Sequence, residues 1–285
     1  MKKIIGTLLT GILSIVSLQA QETKSLLWKV EGNGIQTSYV FGTFHLIPQE
    51  DFILKDKVKK AMDATGVTVL ELDMDDPNLT TEMQSLVVLK DGKQLQSFMD
   101  EAEYEQLDTY LKEKLGVGMQ VFNSMKPLAI NSMITTSFMG TQTASYETEL
   151  IKYTTAQEKE VLGLETVAFQ IGVFDALPYD QQIDQIIEFI NDPDKTRDLF
   201  TEMITTYKEE DVAGLYDFME EYLAEDPELQ KALLDNRNKN WVEKIPEFSA
   251  TQKVFYAVGA GHLGGDNGLI NLLLQEGYSV TPVLE

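Results

Sequence analysis

The chain contains two histidines, and both close a Gly-x-x-His segment: Gly42-Thr-Phe-His45 and Gly259-Ala-Gly261-His262. Each segment follows an apolar run rich in β-branched and aromatic residues, Ser38 to Phe41 and Val254 to Val258, which reads as a buried strand. Open α/β sheets build their sites at such strand ends. Two carboxylates share the position. Glu71 stands between Leu70 and Leu72 in the run Val67 to Leu72, and Glu165 closes the short run Glu160 to Leu164. A lone carboxylate in so apolar a strand is costly, so Glu71 either turns to water at the strand end or meets a cation or hydrogen-bond donors. Glu165 has a plainer use as a cap for a helix starting at Thr166. One histidine alone would be read as structural; the repeated motif argues for a site.

Two imidazoles with one or two carboxylates suit Zn, Mn, Co or Fe, and they equally suit metal-free acid–base work. Arg237, in Arg237-Asn238-Lys-Asn-Trp241, is a candidate partner for a carboxylate or an oxyanion, or a surface ion pair. No HExxH helix, EF-hand loop or GxSxG elbow is present, and with no cysteine there is no thiol nucleophile. The stretch Gly259 to Gly264 formally matches a dinucleotide fingerprint, but it closes the chain without the βαβ continuation and acidic ribose partner that such a site needs.

The elements that must position these residues follow from the pattern. Asn33-Gly34 between two alternating segments marks a hairpin. Pro48 and Asp51 introduce a helix with Phe52, Val58, Ala61 and Met62 on one side, ended by Gly66. The strand from Val67 to Leu72 follows, so a parallel crossover is expected. Residues from Pro77 to Pro127 read helical, including Asp100 to Leu115. Tyr146 to Gln157 and the span from Thr166 to Glu247, broken at Pro178, Pro193 and Pro227, also read helical. Asp266 or Asn267 is placed to cap a last helix between Val254 to Val258 and a final strand, Ser279 to Val283. The expected fold class is α/β (α+β): one central mixed sheet flanked by helices, with a helical insert over roughly residues 80–145 covering one edge. The apolar segment Met125 to Met139 offers Met125, Met133 and Met139 either to a groove or, more ordinarily, to packed core.

Met1-Lys-Lys, an apolar run to Leu18 and Gln19-Ala20 form the pattern of a secretory signal peptide, residues 1–20, followed by a single domain over 21–285. The run is short and Ser/Thr-dotted for a membrane span, so an exported protein, periplasmic or extracellular, with no stable membrane insertion is expected. The net charge of −23 becomes −25 without Lys2 and Lys3, which repels nucleic acid and anionic lipid. Without disulfides, packing alone must hold the exported fold.

Gly42-Thr-Phe-His45, the strand bearing Glu71, Leu164-Glu165-Thr166 with Gln170, Arg237-Asn238-x-x-Trp241, and Gly259-Ala-Gly261-His262-Leu263 with Gly268-Leu269 together resemble the TraB/GumN family. That family includes the Tiki-like metal-dependent proteases with paired Gly-x-x-His motifs. The resemblance implies His45 and His262 as metal or catalytic residues, with Glu71 as an acidic partner. It also carries over Glu165 and Arg237, with Glu71, as catalytic residues. Tyr146-Glu147 stands where a glycine-acidic pair is expected; Glu147 keeps the acid and the preceding residue departs. The implied activity is metal-dependent hydrolysis of a peptide or amide bond with a divalent ion, Mn, Co or Zn. The alternative is a non-catalytic protein that holds a peptide, a small molecule, haem or a partner in the same cleft. Oligomeric state and substrate are not encoded in these motifs.

Overall fold

The computed structural model describes residues 24–224 and 226–285, so the expected signal segment lies outside the described residues. The chain enters as a hairpin of β1 (Leu27–Gly32) and β2 (Ile35–Thr43). The linking residues Asn33 and Gly34 both have positive φ, 48° and 81°, as a two-residue turn that follows the strand twist requires. Then come β3 (Ile47–Pro48), α1 (Asp56–Asp63), β4 (Val67–Leu72), α2 (Leu79–Leu86), α3 (Glu101–Leu115), α4 (Pro127–Phe138), β5 (Thr143–Ala144), α5 (Tyr146–Thr155) and β6 (Glu160–Glu165). A helical run follows: α6 (Val167–Asp175), α7 (Tyr179–Asn191), α8 (Pro193–Lys208), α9 (Val212–Leu223), α10 (Pro227–Gln230), a π-turn at Lys231–Asp235 and α11 (Asn236–Ser249). The chain closes with β7 (Val254–Gly259), α12 (Leu269–Gln275) and β8 (Ser279–Pro282).

Six strands form one mixed sheet in the order β6-β4-β7-β2-β1-β8. The first four are mutually parallel, and β1 runs antiparallel to both β2 and β8. The sheet thus has the expected mixed, helix-flanked architecture. Its centre is β7, with Val254 through Val258 no more than 2% exposed, the continuous apolar pattern of a strand covered on both faces. Because β4 and β2 occupy both edges of β7, β8 cannot pair with it and docks beyond β1 at the sheet edge.

Two helix starts differ from the sequence reading. α1 begins at Asp56 rather than near Asp51, because Ile47–Pro48 is drawn out to pair with Ala144 and Thr143 and Gln49 N–H bonds Gln142 O. Phe52 still packs on the core, from the loop. α12 is not capped by Asp266 or Asn267. Gly268 is the N-cap residue without a side-chain bond, and the Asn267 amide is spent on Asp235.

One hydrophobic core wraps the sheet. A second gathers Leu107 and Leu111 of α3 and Ile130 and Ile134 of α4 around Ile183, Ile186 and Ile190 of α7. The helices of 80–145 therefore bury their apolar faces partly against an element outside that span. Met125 packs in the second core, Met139 in the first, and Met133 is 39% exposed. The three methionines do not line one groove.

Candidate functional site

The four parallel strands end on one rim, and the four strand-end residues meet there. Register fixes this: Thr43 of β2 lies opposite Gly259 of β7, and Leu72 of β4 opposite Glu165 of β6. Gly42 allows the turn after β7 to fold back onto β2, since a Cβ there would lie 2.7 Å from Leu263 Cδ1. Gly259 marks the centre. A Cβ built on it would stand 3.4 Å from Glu71 Oε1, 3.5 Å from His45 Nε2 and 3.6 Å from His262 Cδ2. The two imidazoles therefore approach within about 7 Å of each other, a bound set by those two distances. His45, Glu71 and His262 form one cluster, as their chain positions imply.

Glu71 is 7% exposed and fully engaged. Its Oε1 accepts the Gly259 N–H at 2.8 Å. Its Oε2 accepts from Arg237 Nη2 at 2.6 Å and Gln170 Nε2 at 2.9 Å. Burial alone would raise its pKa; the facing charges of His262 when protonated, His45 and Arg237, with the Gly259 N–H, lower it to about 2. Glu165 does not cap the helix after it. Thr166 takes that role by accepting the Phe169 N–H. Glu165 instead accepts from Arg237 Nη2 at 2.9 Å and Trp241 Nε1 at 2.9 Å. Arg237 is itself 6% exposed, so it is no surface ion pair. Its guanidinium also reaches Leu233 O and His262 Nε2 and packs 4.7 Å from the Trp241 ring. Burial opposes its charge, but Glu71 and Glu165 prevail and raise its pKa.

The histidines differ. His262 is 6% exposed, and burial, with Arg237 and His45 adding to it against Glu71, lowers its pKa to about 3. It is neutral at ordinary pH. The His45 side chain is 66% exposed, with Nδ1 2.7 Å from Glu147 Oε1. Burial of the surrounding groups opposes its charge, but the hydrogen bond and charge of Glu147, then Glu71, raise its pKa to about 9. Glu147, at the first turn of α5, is itself held by Thr43 Oγ1 at 2.6 Å and Ser145 Oγ at 3.0 Å.

Three residues join the site that the chemistry of the sequence did not single out as its partners: Asn238, which faces His262 Nδ1 at 2.7 Å, Gln170 and Gly259. For Asn238 the available signal was adjacency to Arg237. For Gln170 it was a position one helical turn after Thr166. For Gly259 it was the motif itself.

Among the described residues, no group of three or more His, Cys, Asp or Glu is spaced to hold a metal ion as it stands. Arg237 Nη1 lies 3.2 Å from His262 Nε2, and His262 Nε2 is 4.0 Å from Glu71 Oε1. The donor chemistry nevertheless fits a divalent ion. Both rings carry their Nδ1 against an outer acceptor, leaving Nε2 toward the centre, the arrangement that orients metal-binding imidazoles. Glu71 and Glu165 pair with Arg237, and Glu147 pairs with His45, so three carboxylates face two cationic partners and leave a negative excess that a divalent cation, taking the place of the His45 proton, would offset.

A sheet with paired imidazoles, a carboxylate and a guanidinium at its carboxyl rim defines an α/β protein with a buried polar site. The profile of the TraB/PrgY/gumN family matches residues 26–282, and the chain belongs to that family. It is 24% identical to metalloprotease TIKI2 of Danio rerio, over 91% of this chain and 61% of that protein. It is also 24% identical to metalloprotease TIKI1 of Homo sapiens, over 92% and 62%, and 23% identical to that of Xenopus tropicalis, over 91% and 61%. The chain thus spans about three fifths of the length of these curated relatives. No solved structure gives a significant match. Among the described residues no helix is long and apolar enough to cross a membrane.

Proposed function

We propose that the chain is an exported, metal-dependent hydrolase of peptide or amide bonds, working at the rim where His45, Glu71 and His262 meet. The observation that carries this reading is their convergence on Gly259 at the ends of adjacent parallel strands. The metalloprotease names of the relatives support the reaction class, and the amino-terminal sequence pattern supports export.

His45 Nε2, His262 Nε2 and Glu71 Oε1 are the atoms that would hold the ion, which we take to be Mn, Co or Zn. When bound, such an ion acidifies a water and polarises a carbonyl. The chain's own residues set the stage. Glu147 and Asn238 orient the two rings. Arg237 must withdraw from His262 Nε2 before that lone pair is available. Glu165, with both oxygens bonded to Arg237 and Trp241, fixes the guanidinium rather than meeting substrate. Glu71 keeps its charge, so it serves as acceptor for the Gly259 N–H and for whatever cation the centre holds. His45 is the solvent-facing member and the first to meet a substrate.

A second reading, binding of a peptide or partner without turnover, draws on the Arg237–His262 contact, which closes the site in its present form. The test that separates the two is cleavage of a peptide library with Mn, Co or Zn added, using the wild type and Glu71→Gln. Turnover lost in the variant supports the hydrolase. Stabilisation by peptide without cleavage in either protein supports the binder.

A further inference from the structure

We propose that Asn238 is the positioning residue of His262, fixing its proton on Nδ1 and its lone pair on Nε2 toward the centre. Its value for metal holding rests on the hydrolase reading; the tautomer does not.

The Asn238 side chain is buried, at 2% exposed, and its Nδ2 lies 2.8 Å from the backbone oxygen of Asn267. A carbonyl oxygen only accepts, so the amide NH2 must face Asn267 and Oδ1 must face His262. Asn238 Oδ1 is 2.7 Å from His262 Nδ1, so Nδ1 must carry the hydrogen. The other side of the ring gives the same answer independently. Arg237 Nη1, which only donates, lies 3.2 Å from His262 Nε2 and needs a lone pair there. Trp241, with its ring centre 4.4 Å from that of His262, fixes the ring plane. Asn267 cannot drift, because its own side chain donates to Asp235 at 2.9 Å. One residue of α11 thus ties the glycine-rich turn after β7 to the helix that carries Arg237.

The chain's two histidines make the test direct. In histidine-15N-labelled, metal-free protein, long-range proton–nitrogen correlations are assigned by comparison with His45→Ala. His262 should show a protonated Nδ1 and a bare Nε2. In Asn238→Ala the Nδ1 proton loses its acceptor, so its downfield, slowly exchanging signal should disappear, and Asn238→Asp, whose carboxylate still accepts from Nδ1, should restore it. Zinc affinity, titrated with zinc alone, should fall roughly 10–100-fold in Asn238→Ala, as for other outer partners of ligating histidines, and recover in part in Asn238→Asp. A proton on Nε2 in the wild type overturns the proposal without need of any variant. So does an Asn238→Ala protein whose Nδ1 proton signal is unchanged in shift and exchange. If the ring pattern holds but the wild type takes no zinc, the positioning stands and the metal reading falls.

Discussion

Nδ1 of His45 lies 2.7 Å from Oε1 of Glu147, across 102 positions of the chain. That contact gives the exposed histidine a charged partner, while its motif twin His262 faces a neutral amide. Two matching sequence motifs therefore hold one cationic ring and one neutral ring in the metal-free protein.

The first consequence is a pH dependence with two arms. His45 titrates near pH 9 when folded, against 6.5 unfolded. Its contribution is complete below 6.5 and is lost as pH rises toward 9. His262 titrates near 3, against 6.5, so the unfolded chain binds an extra proton below 6.5 and stability falls as pH drops toward 3. Urea midpoints of metal-free protein should peak near pH 6.5. Glu147→Gln should flatten the alkaline arm; an unchanged alkaline arm would remove the His45–Glu147 pair from the account.

Arg237→Leu should be among the most damaging single changes, since it strands Glu71 and Glu165 without their cation. Breaking a buried pair of this kind costs about 3–5 kcal/mol. Chemical denaturation is the measurement, and a loss below about 1 kcal/mol, the scale of exposed pairs, would mean the cluster is solvated.

Trp241→Phe should cost less, about 1–3 kcal/mol, because it leaves one Glu165 lone pair unmet while Arg237 still bonds both oxygens. Additivity with Arg237→Leu is not expected, as the two share Glu165. A double variant whose loss equals the sum of the singles would contradict the shared network.

Gly259→Ala separates fold from site. The backbone there, φ −52° and ψ 134°, is open to alanine, and the new Cβ would meet its neighbours at 3.4 Å or more. Stability should hold or rise by about 0.4–1 kcal/mol, while the methyl stands among Glu71, His45 and His262. Zinc affinity should drop at least tenfold by isothermal titration; equal affinity would place the ion elsewhere.

Much of this was legible in the sequence because it is local. The five long strands with apolar runs, the Asn33-Gly34 turn and the strand-end positions of His45, Glu71, Glu165 and His262 need only periodicity and turn chemistry. The family was legible in the motifs, and the match over 26–282 bears it out. What was hidden depends on pairing across the chain. The start of α1 was displaced by a strand pairing with residues 143–144. The role of Glu165 was set by α11, more than seventy residues on. The partner of β8 was decided by which edges of β7 were already filled. No local rule reports such competition, so Asn238 was legible as part of a motif but not as the partner of His262.

The central claim is that His45 and His262 serve one ion at one centre. Isothermal titration of the metal-free protein lacking residues 1–20 with Mn, Co and Zn, beside the His45→Ala/His262→Ala double variant, tests it most directly. The account predicts one ion bound per chain for the wild type, with elemental analysis of the reloaded protein giving the same ratio, and at least hundredfold weaker binding in the variant, since both imidazole ligands are gone. Equal affinity in the two proteins for every ion would contradict it.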